Sequence, residues 1–212
     1  MFRRAIWQAL FPPDCIILLV QSDKAPEFDL QRPLASAVAV VTAVLFSPRG
    51  FYLNFKVEGP LREPAVFALL VGAISGVLGA AVALASNLLF GDLDAGDLRA
   101  ALVGALLFAV LSPVGVGVTA GVYLLSIRTF VGKVSSFAEM YRMAAYAASV
   151  LVFAWIPILG AFAFTYALMI LMGIGIQSAY RTSFVTTVVT VLAGFVPVAT
   201  ILVWIAINEV GL

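Results

Sequence analysis

"SSFAEMYRMAAYAASVLVFAWIPILG", residues 135–160, begins as a charged, amphipathic turn and runs into an apolar stretch broken by Pro157 and Gly160. The fold turns on whether that stretch is a soluble helix or the point where a helix enters a membrane. Ser136, Phe137, Ala138 and Glu139 read as a capping box, in which the Ser and Glu side chains each satisfy the other's end of the helix. Phe137, Met140, Tyr141 and Ala144 recur at helical spacing on one face, and Ser136, Glu139 and Arg142 line the other. The helix then turns fully apolar. Its far end is the Trp155–Gly160 turn, with Trp155 at the height where aromatic belts form.

The rest of the chain favours the membrane. Hydrophobic residues make up 63% of the 212 and charged ones 11%, against about 25% charged in soluble domains. Mean hydropathy is +1.12. A soluble fold of this length has too little interior to hide so much apolar surface, so lipid must cover much of it.

Charges mark the spans. None lies between Glu63 and Asp92, Arg99 and Arg128, Arg142 and Arg181, or Arg181 and Glu209. A spanning helix takes about 20 residues. Three of these gaps hold one span each, and the gap after Arg142 holds two short ones that turn at Pro157 and Gly160. The expectation is an all-α polytopic transmembrane bundle of five helices, at about 64–90, 99–127, 138–157, 159–178 and 184–208. With five crossings, eleven of the twelve Lys and Arg residues fall on one side and only Arg99 on the other. The positive-inside rule then puts the N-terminus in the cytoplasm and the C-terminus outside. Residues 1–62 form a cytoplasmic and interfacial segment, and 63–212 the membrane domain.

Within the first segment, residues 2–10 suggest a short helix lying on the membrane surface. Pro12, Pro13 and Asp14 argue against a signal peptide. The uncharged stretch 33–46 is too short to span, so it reads as an interfacial or re-entrant helix. Counting it as a sixth span would throw Arg3, Arg4, Lys24 and Arg32 outside.

Two stretches carry a family resemblance. "LFSPRGFYLNFKVEGPLREPAVFALLVGAISGVLGA", residues 45–80, has a Ser-Pro-Arg, an aromatic pair and a Pro ahead of a Gly-rich first span. "SSFAEMYRMAAYAASVLVFAWIPILGAFAFTYALMILMGIGIQSAYRTS", residues 135–183, has a Ser-Phe start, an Ala-Tyr-Ala segment, an Ile-Pro…Gly turn and a closing Gly-Ile-x-x-Ala-Tyr. Together they resemble the Yip family, five-span membrane proteins whose eukaryotic members interact with Ypt/Rab GTPases in vesicle traffic. The resemblance implies a cytoplasmic N-terminus and a non-enzymatic, scaffolding or membrane-organising role. The acidic, Pro-containing motif of those members has no match here. Nine Arg against three Lys suggests a prokaryotic genome. A prokaryotic inner membrane would be the location, and Rab binding is not carried over.

The chain has no His and one Cys, Cys15, which excludes an internal disulfide and disfavours metal sites built from those ligands. No Asp, Glu, Lys or His falls at mid-depth in a span, so no catalytic dyad can be drawn there. No catalytic, cofactor-binding or metal residue is assigned, and a net charge of +1 gives no field to attract nucleic acid. Lipids and other membrane proteins are the expected partners, with Glu139, Tyr141 and Arg142 the candidate contacts. Gly72 and Gly76 have the spacing for close helix approach, in a homo-oligomer or within the bundle.

The alternative function is a small-solute channel or transporter subunit. Breaks at Ser112-Pro113 and Pro197 would serve it, together with a hydrated cavity lined by Thr186 and Thr190. The same threonines, with Thr182, could instead bond back to their own helix.

Overall fold

The structure is a computed structural model that describes residues 24–55, 58–91, 94–132, 135–156 and 158–210. The expected surface helix at 2–10 and Cys15 lie outside these. The described residues are helical, without strands. In chain order they form α1 (Pro33–Phe46), α2 (Pro48–Leu53), α3 (Arg62–Phe90), α4 (Ala95–Phe130), α5 (Phe137–Ala147), α6 (Leu159–Thr165), α7 (Met172–Tyr180) and α8 (Phe184–Val210). A 3-10 stretch, Ala148–Phe153, continues α5, and a π stretch, Tyr166–Leu171, joins α6 to α7.

Among the described residues, four helical stretches are long and apolar enough to cross a membrane: Arg62–Phe90, Ala95–Phe130, Leu159–Tyr180 and Phe184–Ile201. The stretch expected as the third span, 138–157, differs from expectation. Its α-helix stops at Ala147 and the chain tightens into the 3-10 stretch. Residue 158 then turns the chain with a φ of 68°. A Cβ on Gly160 would meet the Ala154 carbonyl oxygen at 2.5 Å, so only glycine lets the turn close there.

Small residues bring α3 and α4 together as an antiparallel hairpin. A Cβ on Gly72 would lie 2.6 Å from the Ser112 Cβ, and one on Gly76 would lie 2.7 Å from the Ala105 carbonyl oxygen. Ser112 Oγ donates to the Ala68 carbonyl at 2.8 Å. The Gly72 and Gly76 face is therefore filled by the chain's own next helix. Asp94 caps α4, its Oδ1 accepting from the Asp97 N–H at 2.8 Å while Asp97 Oδ2 accepts from the Asp94 N–H at 3.1 Å.

The helices do not break at the prolines. α4 runs on through Pro113 and α8 through Pro197. A proline removes one hydrogen bond, whereas unwinding in lipid would strand several backbone groups, so the helix persists.

The centre of the bundle is α5 and its 3-10 extension. Every residue from Met140 to Val150 is buried, so this helix is covered on all sides. Ser75 Oγ of α3 donates to the Leu151 carbonyl and ties the 3-10 stretch down. Tyr123 of α4 donates its hydroxyl to the Leu168 carbonyl in the π stretch at 2.6 Å. Gly194 of α8 makes room for that ring, since a Cβ there would meet it at 2.9 Å. Phe28, Phe51, Tyr52 and Phe55 belong to the same core cluster as the long helices. The helix at 33–46 has 14 residues and buries Ala37, Val40 and Val44.

Candidate functional site

α5 begins as its sequence requires. Ser136 Oγ accepts from the Glu139 N–H at 3.1 Å, and Glu139 Oε2 accepts from the Ser136 N–H at 3.4 Å. One turn later the chain departs from expectation. Arg142, expected beside Ser136 and Glu139 on the outward face, is fully buried. The reason is tertiary: the segment before α3 folds over that face and brings Glu27, Phe55 and Pro60 to the guanidinium.

Those partners form a compact knot. Arg142 Nη2 lies 3.4 Å from Glu27 Oε2, and Nη1 lies 3.9 Å from Glu63 Oε2. Nη1 also donates to the Pro60 carbonyl at 3.2 Å. The guanidinium carbon lies 6.0 Å from the Phe55 ring centroid, within cation–π range. Gly59 closes the knot with a φ of 154°, and a Cβ there would meet Nη1 at 2.7 Å. A planar fork with five fixed N–H donors spans two carboxylates and a carbonyl set apart from one another, a geometry the compact ammonium of Lys matches less well. The arginine is buried, while Glu27 and Glu63 each keep about a third of their side-chain surface exposed.

Aromatic rings extend the knot along α5. Tyr146, one turn beyond Arg142, packs on Phe51, Phe55 and Phe67 with centroids 5.3 to 5.7 Å apart. Its hydroxyl accepts from the Phe28 N–H at 3.4 Å. Tyr52 donates to the Met143 carbonyl at 3.4 Å. Tyr141 turns the other way and donates to the Pro113 carbonyl at 3.0 Å. Of the three candidate contacts, then, Arg142 and Tyr141 are buried and Glu139 is a partly buried cap. Exposed groups around this end include Arg128, Ser136, Phe137 and Arg181.

The two stretches that carried the resemblance, 45–80 and 135–183, meet in this knot. A family model described as the Yip1 domain matches residues 42–207.

The chain belongs to the Yip1 family.

It is an integral membrane protein of that family, as its long apolar helices require. The match takes in Phe55, Pro60, Glu63 and Arg142 of the knot and begins after Glu27. No curated protein and no solved structure matches the chain.

Glu27, Phe55, Pro60 and Glu63 were not singled out by sequence reasoning. The available signal was Arg142 itself, the last charge before a long apolar gap, together with Gly59-Pro60 after the aromatic run at 51–55. Among the described residues no three His, Cys, Asp or Glu side chains gather as a metal site.

A second feature of this Yip1-domain protein lies deeper between the helices. It is a cavity of about 830 Å³, lined by residues of α3, α4, α5, the 3-10 stretch, α6 and α8. Its wall is apolar except for Ser112 and Thr119, and neither Thr186 nor Thr190 borders it. Thr190 instead donates to the Thr186 carbonyl at 2.7 Å, and Thr187 to the Ser183 carbonyl at 2.9 Å. These hydroxyls bond back along their own helix.

Proposed function

We propose that this Yip-family protein is a non-enzymatic membrane scaffold whose recognition surface is its charged end. The observation that carries this is the Arg142 knot. A buried cation, two acids and a set of aromatic rings dock the segment 27–63 onto the helix that begins at Ser136. The result is an ordered surface outside the apolar spans, with Arg128, Phe137 and Arg181 exposed on it. Other membrane proteins are the proposed partners. They would meet this surface rather than Arg142 or Tyr141, and self-association would use a face other than Gly72 and Gly76.

Purifying the full-length protein in mild detergent, with identification of what accompanies it, tests the reading. A defined membrane protein is expected to copurify and to be lost from the double variant Arg128→Ala/Phe137→Ala. Neither side chain is buried, so the fold should survive. Indistinguishable companions for both forms and for an unrelated membrane protein would remove the scaffold reading.

The proposed topology is five crossings, with the charged end cytoplasmic and the C-terminus outside, in the inner membrane of a prokaryotic cell. Support comes from length. Eleven α residues at about 1.5 Å and six 3-10 residues at about 2.0 Å rise roughly 28 Å, close to the ~30 Å hydrocarbon core. The distribution of Lys and Arg agrees. Cysteines placed by Asp94→Cys and Arg181→Cys, each in a Cys15→Ser background, are expected to react with an impermeant thiol reagent from opposite sides. Reaction from one side would break the count.

Solute transport has less support. The helices run through Pro113 and Pro197, and the large cavity is apolar rather than lined by the threonines.

A further inference from the structure

We propose that the cavity between α4, α5 and α6 is a binding site for a hydrocarbon chain, filled in the membrane by the acyl tail of a lipid. Its volume of about 830 Å³ lies in the range of ligand sites, roughly 300–1,000 Å³.

The wall chemistry selects the occupant. No charged side chain borders the cavity. Of its two polar side chains, Ser112 already donates to the Ala68 carbonyl. An apolar cavity gives water too few partners to hold it, and leaving it empty forfeits dispersion contacts along its whole wall. The position supplies the occupant. Leu107, Leu111, Val114 and Val118 line the cavity and are also exposed on α4. The mouth is therefore continuous with the helix surface that lipid covers. The opposite wall is α5 and its extension, where Ala144, Ala147 and Ala148 are buried yet border the cavity. A chain end that touches these alanines has entered the bundle.

Two glycines make the site testable. Gly104 and Gly115 border the cavity, and a Cβ added to either meets nothing within 4 Å. Leucine at both positions should fill the space without displacing the helices.

The full-length protein is reconstituted in phosphatidylcholine vesicles whose acyl chains carry a photoreactive diazirine. After irradiation, adducts are mapped by mass spectrometry. Adducts are expected on 144–151 as well as on the exposed Phe184 and Val185. In the double variant Gly104→Leu/Gly115→Leu, labelling of 144–151 should fall about tenfold or more, the effect of losing roughly 1.4 kcal/mol of binding. Labelling of Phe184 and Val185 should stay unchanged, and the unfolding temperature should not fall. Three results would each overturn the proposal. One is no adduct on 144–151. Another is an Ala147→Cys thiol that reacts with a water-soluble maleimide as fast as an exposed one, which marks a wet cavity. The third is cross-linking between copies through Leu111→Cys, which marks a second chain as the occupant. None depends on whether a protein partner is found, so the scaffold reading stands or falls separately.

Discussion

Replacing Arg142 with methionine is expected to release the segment 24–61 from the bundle while the long helices stay assembled. Removing one partner of a buried ion pair costs about 3–5 kcal/mol. Here both carboxylates are about a third exposed and can take up water, so the expected loss is lower, about 2–3 kcal/mol. The Pro60 carbonyl loses its donor, and Phe55 loses its cation. Limited proteolysis in mild detergent reads the effect. When opening is fast relative to cleavage, about 2–3 kcal/mol raises the open population, and so the cutting rate within 24–61, roughly 30- to 150-fold. Arg142→Lys should fall between, because an ammonium keeps the charge without the fork. The double change Glu27→Gln/Glu63→Gln should also weaken the knot, since it removes two carboxylate counter-charges from a buried guanidinium. A proteolysis pattern unchanged in all three variants would show that the knot does not hold this segment.

The second large effect lies in the α3–α4 hairpin, where the sign of a glycine substitution depends on its surroundings. Gly76→Leu places its Cβ 2.7 Å from the Ala105 carbonyl oxygen, a backbone atom that cannot swing aside. The two helices must part, and the expected cost is at the upper end of overpacking, about 3 kcal/mol. Gly76→Ala meets the same atom and should cost about 1–2 kcal/mol. Gly104→Ala and Gly115→Ala meet nothing and should be neutral or stabilise by about 0.5–1 kcal/mol, the helix-propensity gain of Ala over Gly. Thermal unfolding of the four variants in one detergent checks the order. Equal shifts at Gly76 and Gly104 would contradict the hairpin contact.

These two cases mark different depths of legibility. The Gly72–Gly76 spacing is visible in one helix, because small residues four apart share a face whatever lies opposite. Which helix lies opposite is not in that spacing, and the structure assigns it to α4. Arg142 failed for the converse reason. Its spacing from Ser136 and Glu139 is helical, and the capping box formed as read. A shared face says nothing about what covers it. Glu27 and Pro60, far earlier in the chain, do so.

The prolines teach a related point. In water Pro113 and Pro197 would read as helix ends or breaks. Lipid offers unwound backbone no partner, so the solvent overrules the local preference.

By itself the sequence determined that lipid is the solvent for most of this chain, where its long apolar helices run, how α5 starts and which family the chain belongs to. Those properties follow from composition and short-range periodicity, which each segment carries alone. Only the tertiary structure decided that Arg142 faces inward, that α5 tightens to a 3-10 stretch, and that an apolar cavity opens between α4 and α5. Each depends on which distant residues pack against a given face, and burial is a property of the pair rather than of either segment.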